Sequence, residues 1–251
     1  MEIKEGIVFK RADIEKKKYF RNMDLLRRRL CFLALKDDKV IGTIEFKIFD
    51  MVNARIEHID ISWDKTTYHM ELLEGFIQEF LWWNEYIKNI TLDIPLMRKI
   101  CVQEHDLLRA GFIKESKYTY KNPDPTEIFK IEVKDVCPSQ LTVDRNKLNQ
   151  LKGWIKSKED IICTFVRIAG KSVCIDGHTR LVFSILNDYE YIYGIYTKDY
   201  DEEDTELYKE TLKWCRNEQI YAPEDLVNNI VDTKEHEKRW ISRCRNYLKS
   251  V

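Results

Sequence analysis

The sequence predicts an α+β protein of two domains, the first over residues 1–122 and the second over 123–251. Three observations lead there. Short stretches of alternating apolar residues, the mark of half-buried strands, are interleaved in both halves with stretches of helical spacing. Lys121-Asn122-Pro123-Asp124-Pro125-Thr126 sets two prolines among polar residues, which favours an extended connector over a continued element. A chain of 251 residues with 44% hydrophobic side chains can fill two ordinary cores.

In the first half, Cys31–Lys36 and Val40–Phe49 read as strands joined by the turn Lys36-Asp37-Asp38-Lys39, a hairpin signal. Arg55–Ile61 alternates polar and apolar side chains and reads as a strand. Tyr68–Tyr86 carries Leu72, Leu73, Phe76, Ile77, Phe80 and Leu81 on one helical face. Ile90–Ile94 follows as a short strand, Met97–Arg109 as a helix ended by Gly111, and Lys117–Lys121 as a last strand. In the second half, Ile128–Val133 is a strand and Asp144–Ile155 a helix with Leu148, Leu151 and Ile155 aligned. Cys163–Ile168 and Ser172–Ile175 form a hairpin across Ala169-Gly170-Lys171, before a helix at Thr179–Leu186 and a strand at Tyr191–Tyr196. Beyond the acidic segment Asp199–Glu206 lie three helices, Leu207–Asn217, Pro223–Ile230 and Thr233–Leu248.

Composition removes several function classes. With 42 basic and 43 acidic residues the formal net charge is −1, without the basic field that neutralises phosphates, so no nucleic-acid partner is expected. Cysteines stand at 31, 101, 137, 163, 174, 215 and 244, an odd number with no C-x-x-C pair. That argues against a disulfide framework or structural zinc and for reduced, buried thiols. Glu2, Lys4 and Glu5 interrupt any signal-peptide core, and no apolar run approaches a membrane span. A cytoplasmic protein with no membrane partner is the expectation. The charge runs Glu15–Lys18 and Arg27–Arg29, and the tryptophans of Trp214-Cys215-Arg216 and His236–Arg243, read as solvated faces and core anchors.

The stretch of most chemical interest is Val173-Cys174-Ile175-Asp176-Gly177-His178-Thr179-Arg180-Leu181. An apolar strand enters a polar turn that opens a helix. Gly177 permits a tight turn, and amides at a helix start favour an anion together with the helix dipole. Arg180 adds a planar fork suited to phosphate oxygens, while His178 and Thr179 can donate to the same group. Asp176 can hold a divalent cation, Mg2+ being the natural choice, or a substrate hydroxyl. The bland alternative is a capping Asp176 and a surface ion pair at Arg180.

Residues 130–200, through Val133–Leu141, the hairpin and Asp176–Arg180, resemble the ParB/sulfiredoxin superfamily. The Asp-Gly-His-Thr-Arg form is most similar to its nucleotide-dependent free serine kinases. The resemblance implies an α+β domain followed by C-terminal helices, and nucleotide phosphates bound at Gly177, His178, Thr179 and Arg180. It implies ADP or ATP with Mg2+ as the cofactor and a small-molecule acceptor. Asp176 and His178 would face the transferred group. Where those kinases carry a glutamate thought to act as base, this chain has Pro138-Ser139-Gln140; Gln140 can orient a hydroxyl but accept no proton, and Asp144 or Asp135 would have to substitute. Gly177 also stands where sulfiredoxins need a cysteine, with Cys174 three residues earlier, and the flanking DNA-binding helices of ParB proteins are not evident.

The order of elements in residues 1–122, with Asp106-Leu107-Leu108-Arg109-Ala110-Gly111-Phe112-Ile113-Lys114-Glu115, resembles the GNAT acetyltransferases. That implies a GNAT-like mixed sheet with helices, open at a V-shaped split able to hold a pantetheine arm. Acetyl-CoA is the ligand so implied. The glycine-rich phosphate turn of that family is replaced by Trp63-Asp64-Lys65-Thr66-Thr67-Tyr68-His69, with no glycine between Gly42 and Gly75. Glu57, His58, Asp60 and His69 are the candidate bases there, each also readable as a structural polar residue. The leading expectation is a nucleotide-binding transferase that moves a phosphoryl group to a small hydroxyl metabolite. The alternatives are CoA-dependent N-acyl transfer by the first half, or a nucleotide sensor or interaction module without turnover.

Overall fold

The sheet of the first half starts earlier than alternation alone suggests, because β1 (Ile7–Arg11) is five residues long and buries no side chain fully. It pairs antiparallel with β2 (Cys31–Lys36), which pairs with β3 (Lys39–Ile48). The turn between β2 and β3 needs two left-handed residues in a row, and Asp37 (φ 49°) and Asp38 (φ 60°) supply them. The computed structural model describes residues 6–22, 25, 26, 28–61, 69–100, 102–198 and 200–250. The fold is α+β, with two compact units, Met1–Pro125 and Thr126–Val251, so that the division falls inside the two-proline connector.

In the first unit the chain continues through β4 (Asn53–Asp60), α1 (His69–Trp83), β5 (Asn89–Leu92), α2 (Ile94–Lys99), α3 (Glu104–Arg109), β6 (Phe112–Lys114) and β7 (Tyr118–Lys121). The seven-stranded sheet has the order β1-β2-β3-β4-β5-β7-β6, and only β4 and β5 run parallel, joined across α1. The apolar stripe of α1 buries Leu72, Leu73, Phe76, Ile77 and Phe80, and the Phe80 ring stacks on Phe46 at 4.0 Å. Gly75 lets β1 approach the helix: a Cβ there would sit 2.2 Å from the Phe9 ring.

The expected helix Met97–Arg109 is two short helices. Ile100 and Val102 are both buried, and residues two apart on a helix point to nearly opposite sides, which one continuous helix through this stretch does not accommodate. Pro95 sits in the first turn of α2, where a missing N–H is harmless, which ends the preceding strand at Leu92 instead of Ile94. Strands β1 and β6 were not expected from the pattern.

The second unit holds a five-stranded sheet of order β8-β13-β11-β12-β9, built from β8 (Phe129–Glu132), β9 (Cys137–Pro138), β11 (Ile162–Ile168), β12 (Lys171–Asp176) and β13 (Tyr191–Tyr196). A separate parallel pair joins β10 (Val143–Asp144) to β14 (Ile230–Val231). Helix α4 (Arg145–Leu151) is shorter than expected, α5 is His178–Leu186, and α6 is Glu202–Asn217. The acidic segment expected to precede α6 is its first turn: Asp201 accepts the Asp204 amide at 2.9 Å, and carboxylates suit the positive end of a helix. Residues 223–229 are 3-10 rather than α, and the C-terminal helix is interrupted by a π turn at Glu237–Ile241. Cys163, Phe165, Cys174 and Ile192 of the sheet pack with Leu181, Val182 and Phe183 of α5.

Asp144 ties β10 to its surroundings. It is buried, caps α4 through the Asn146 amide at 2.8 Å, and accepts the Thr233 hydroxyl at 3.1 Å. Replacing it with alanine should lower the unfolding free energy of the second unit by about 0.5–2 kcal/mol, the cost of a lost helix cap. Urea denaturation followed by tryptophan emission measures this.

Candidate functional site

The turn Asp176–Arg180 is shaped by its glycine. Gly177 takes φ 101° and ψ 10° as the residue before α5, and a Cβ there would lie 2.7 Å from Cys163 Sγ and 3.1 Å from Arg180 Nη2. Only glycine fits both the backbone and the space. Its carbonyl accepts the Leu181 amide at 2.8 Å and the Cys163 thiol at 3.6 Å. Gly177, the residue before α5, has no side chain to cap the first turn, whose opening amides point out along the helix axis.

Arg180 folds back over this helix start and donates Nη2 to Asp176 Oδ2 at 2.7 Å. The Asp176 side chain is 71% exposed and that of Arg180 26%. Thr179 is half-buried beside them. The structure thus assembles a carboxylate, a guanidinium and a glycine-led helix start within five consecutive residues.

His178 stands elsewhere than the sequence reading expected. Its ring is buried, and Nε2 accepts the Ser139 amide at 3.1 Å. Burial pushes its pKa down to about 4, against the pull of Asp176 and the Cys174 carbonyl, so the ring is neutral at ordinary pH. An imidazole already accepting at Nε2 below the turn holds the turn in place; it does not donate to an anion above it. Ser139, to which the motif assigns no role, also donates its hydroxyl to the Cys174 carbonyl at 2.7 Å.

Gln140 closes onto the segment that follows it, Nε2 donating to the Thr142 carbonyl at 2.6 Å. Of the carboxylates considered in its place, Asp144 is committed to capping α4 and Asp135 lies exposed in a 3-10 turn. Tyr208 of α6 is a further neighbour: burial, then the fields of Asp204, Asp176 and Asp201, push its phenol up to about 12. Nothing in the local sequence pairs Tyr208 with Asp176, since contact between distant elements has no periodic signature. Cys174 donates to the Asp176 carbonyl at 3.3 Å, and burial keeps its thiol well above the ordinary range, which disfavours thiolate chemistry.

In the first unit β4 and β5 pair only over Asn53–Arg55 and Asn89–Thr91 and then part. A cleft of about 440 Å³ opens there, lined by Arg55, Ile56, Glu57, Asp93, Pro95 and Leu96. The register passes from Glu45↔His58 to Phe46↔Ile56, so Glu57 is the extra residue of a β-bulge on the cleft wall. Arg55 Nε donates to Glu57 Oε1 at 2.7 Å. His58 lies opposite Glu45 across the strands, and His69 Nδ1 donates to the Ile100 carbonyl at 2.5 Å. Asp60 lies opposite Thr43. Trp63–Tyr68, the segment in place of a phosphate turn, lies outside the described residues.

The depressed pKa of His178 makes a pH prediction. The unfolded imidazole protonates near 6.5 and the folded one at about 4, so the unfolded chain takes up the proton first as pH falls. This contribution to stability is complete above about pH 6.5 and is lost progressively down to about pH 4, a change of about 3 kcal/mol. His178→Gln keeps an acceptor for the Ser139 amide without the titration. Urea unfolding across that window should show a shallower pH slope for the variant.

No family model matches the chain, and no curated protein matches it. Among solved structures, the crystal structure of protein Atu1540 from Agrobacterium tumefaciens is similar at 13% identity and a TM-score of 0.27. The match covers 42% of this chain and 62% of that one, a likeness too slight to assign either unit to a family.

Proposed function

We propose that the second unit binds the phosphates of ADP or ATP at the Asp176–Arg180 turn and transfers the terminal phosphoryl group to the hydroxyl of a small metabolite. The observation that carries this reading is a helix start led by Gly177, which has no side chain to cap it, with a guanidinium folded onto it. A phosphate oxygen would take the place that a capping side chain occupies elsewhere. The Arg180–Asp176 pair is an i,i+4 surface pair worth about 0.3–0.5 kcal/mol, so an incoming phosphate displaces it at little cost. Asp176, released at the mouth of the turn, would then receive the acceptor's proton.

In that step the acceptor oxygen forms a bond to the terminal phosphorus as the bridging P–O bond breaks. The hydroxyl proton passes to Asp176 and the bridging oxygen leaves with the nucleotide. Among the described residues no three carboxylate, histidine or cysteine side chains group to hold a metal ion, so Mg2+ would ride on the nucleotide phosphates with Asp176 as its nearest protein carboxylate. Bound there it would spread the phosphate charge. Ser139 and His178 position the turn.

Calorimetric titration with ADP and ATP tests the reading. Arg180→Ala should weaken binding about ten- to hundredfold, the worth of charged hydrogen bonds; unchanged affinity removes the site. Asp176→Asn should keep binding and lose product formation against a panel of small alcohols. Gln140, closed onto Thr142, favours the sensor reading instead, and nucleotide binding without any phosphorylated product would establish it.

A second reading, CoA-dependent acyl transfer by the first unit, is favoured by the cleft where β4 and β5 part and by Glu57 on its wall. Glu57 would take the amine proton as the acyl carbonyl is attacked, and the CoA thiolate would leave. Acetyl-CoA should then raise the melting temperature while ADP and ATP do not, and Glu57→Gln should abolish transfer to an amine with acetyl-CoA binding intact. No thermal shift with acetyl-CoA rejects this reading.

A further inference from the structure

The segment Ser139–Asp144 is hydrogen-bonded at both ends. At its start, Ser139 gives its amide to His178 Nε2 and its hydroxyl to the Cys174 carbonyl, both directly beneath the Asp176–Arg180 turn. At its end, Val143 and Asp144 pair with Ile230 and Val231, and Asp144 accepts the Thr233 hydroxyl. Between them the Thr142 hydroxyl is bonded to His236 Nδ1 at 2.9 Å, and Gln140 bridges to the Thr142 carbonyl. Ser139, Thr142, Asp144 and His236 are all buried. A buried polar strap of this kind has few alternative arrangements, because each bond lost leaves an orphaned group in a low-dielectric interior.

We propose that His236 is a positioning residue for the Asp176–Arg180 turn, acting from the C-terminal helical segment through Thr142 and Ser139. It touches neither the turn nor anything bound there. Loss of its bond to Thr142 lets the strap relax, the Ser139 amide moves off His178, and the ring that sets the first turn of α5 loses its orientation. The π turn at Glu237–Ile241 begins at the residue after His236, and such departures from regular helical spacing are frequent at functional sites. The role of the turn as an anion site rests on the proposed function; the mechanical link from His236 to His178 does not.

The test uses the full chain labelled with 15N-histidine. His236→Ala and Thr142→Val should each shift the His178 Nε2 resonance at neutral pH, whereas His236→Asn, which can still bond to Thr142, should leave it near the wild-type position. Titrated with inorganic phosphate and with ATP, the first two should bind about twofold to thirtyfold more weakly and His236→Asn as the wild type does. Leu226→Ala, a fully buried core truncation in the same unit, is the control for simple destabilisation. An unmoved His178 resonance in both His236→Ala and Thr142→Val overturns the proposal, as does an equal shift in Leu226→Ala. Should His236→Ala fail to fold, Thr142→Val decides alone. A wild type that binds neither phosphate nor ATP overturns the anion reading of the turn, and the His178 resonance still decides the link.

Discussion

His178 can accept the Ser139 amide only while its ring is neutral, and burial under the turn is what keeps it neutral. From that one bond follows much of the second unit's arrangement. It fixes β9 against β12, so Pro138 lies beside Cys174. It holds the ring below the sheet end, so the helix start faces outward with no histidine across it. The αL glycine complements this: Gly177 turns the chain sharply enough that residue 178 points in while Arg180, two residues on, curls back over the turn.

The same bond explains where residue types misled and where they did not. Asp176, Gly177 and Arg180 could be placed together from sequence because they are neighbours and because strand-to-turn-to-helix passage is a local property. The histidine between them looks chemically identical whether it points up at a ligand or down into a core, and its direction is decided by Ser139, far away in the chain. Gln140 is a similar case, since its carboxamide is consumed by the Thr142 carbonyl two residues later.

Element existence was legible for the same reason and element ends were not. The stripe of Leu72, Leu73, Phe76, Ile77 and Phe80 marks α1 because long periodic patterns average over local exceptions. The Met97–Arg109 stretch has helical composition throughout, yet Ile100 and Val102 both find core positions that a continuous helix cannot serve. Strands β9, β10 and β14 have two residues each, too short for any alternation to register, although two of them carry the strap that ends at His178. Pairing across such distances is a tertiary decision.

The two candidate sites differ in how their charges are held. In the first unit Arg55 and Glu57 lie on one strand and bond to each other, with Lys117 and Asp93 3.8 Å apart near the same cleft, so the wall is already balanced within itself. Such a wall suits an uncharged or amide-rich ligand better than a pyrophosphate. In the second unit Arg180 pairs with an exposed carboxylate four residues away, at a helix start whose glycine contributes no side chain of its own. On the proposed reading, a pair with one exposed member at a helix start would exchange its carboxylate for a phosphate. Asp176 holds the guanidinium folded over the turn, and in the proposed function a group of higher charge and more oxygens would compete for it. That difference in internal compensation, more than any single residue, is why the phosphate reading belongs to the second unit.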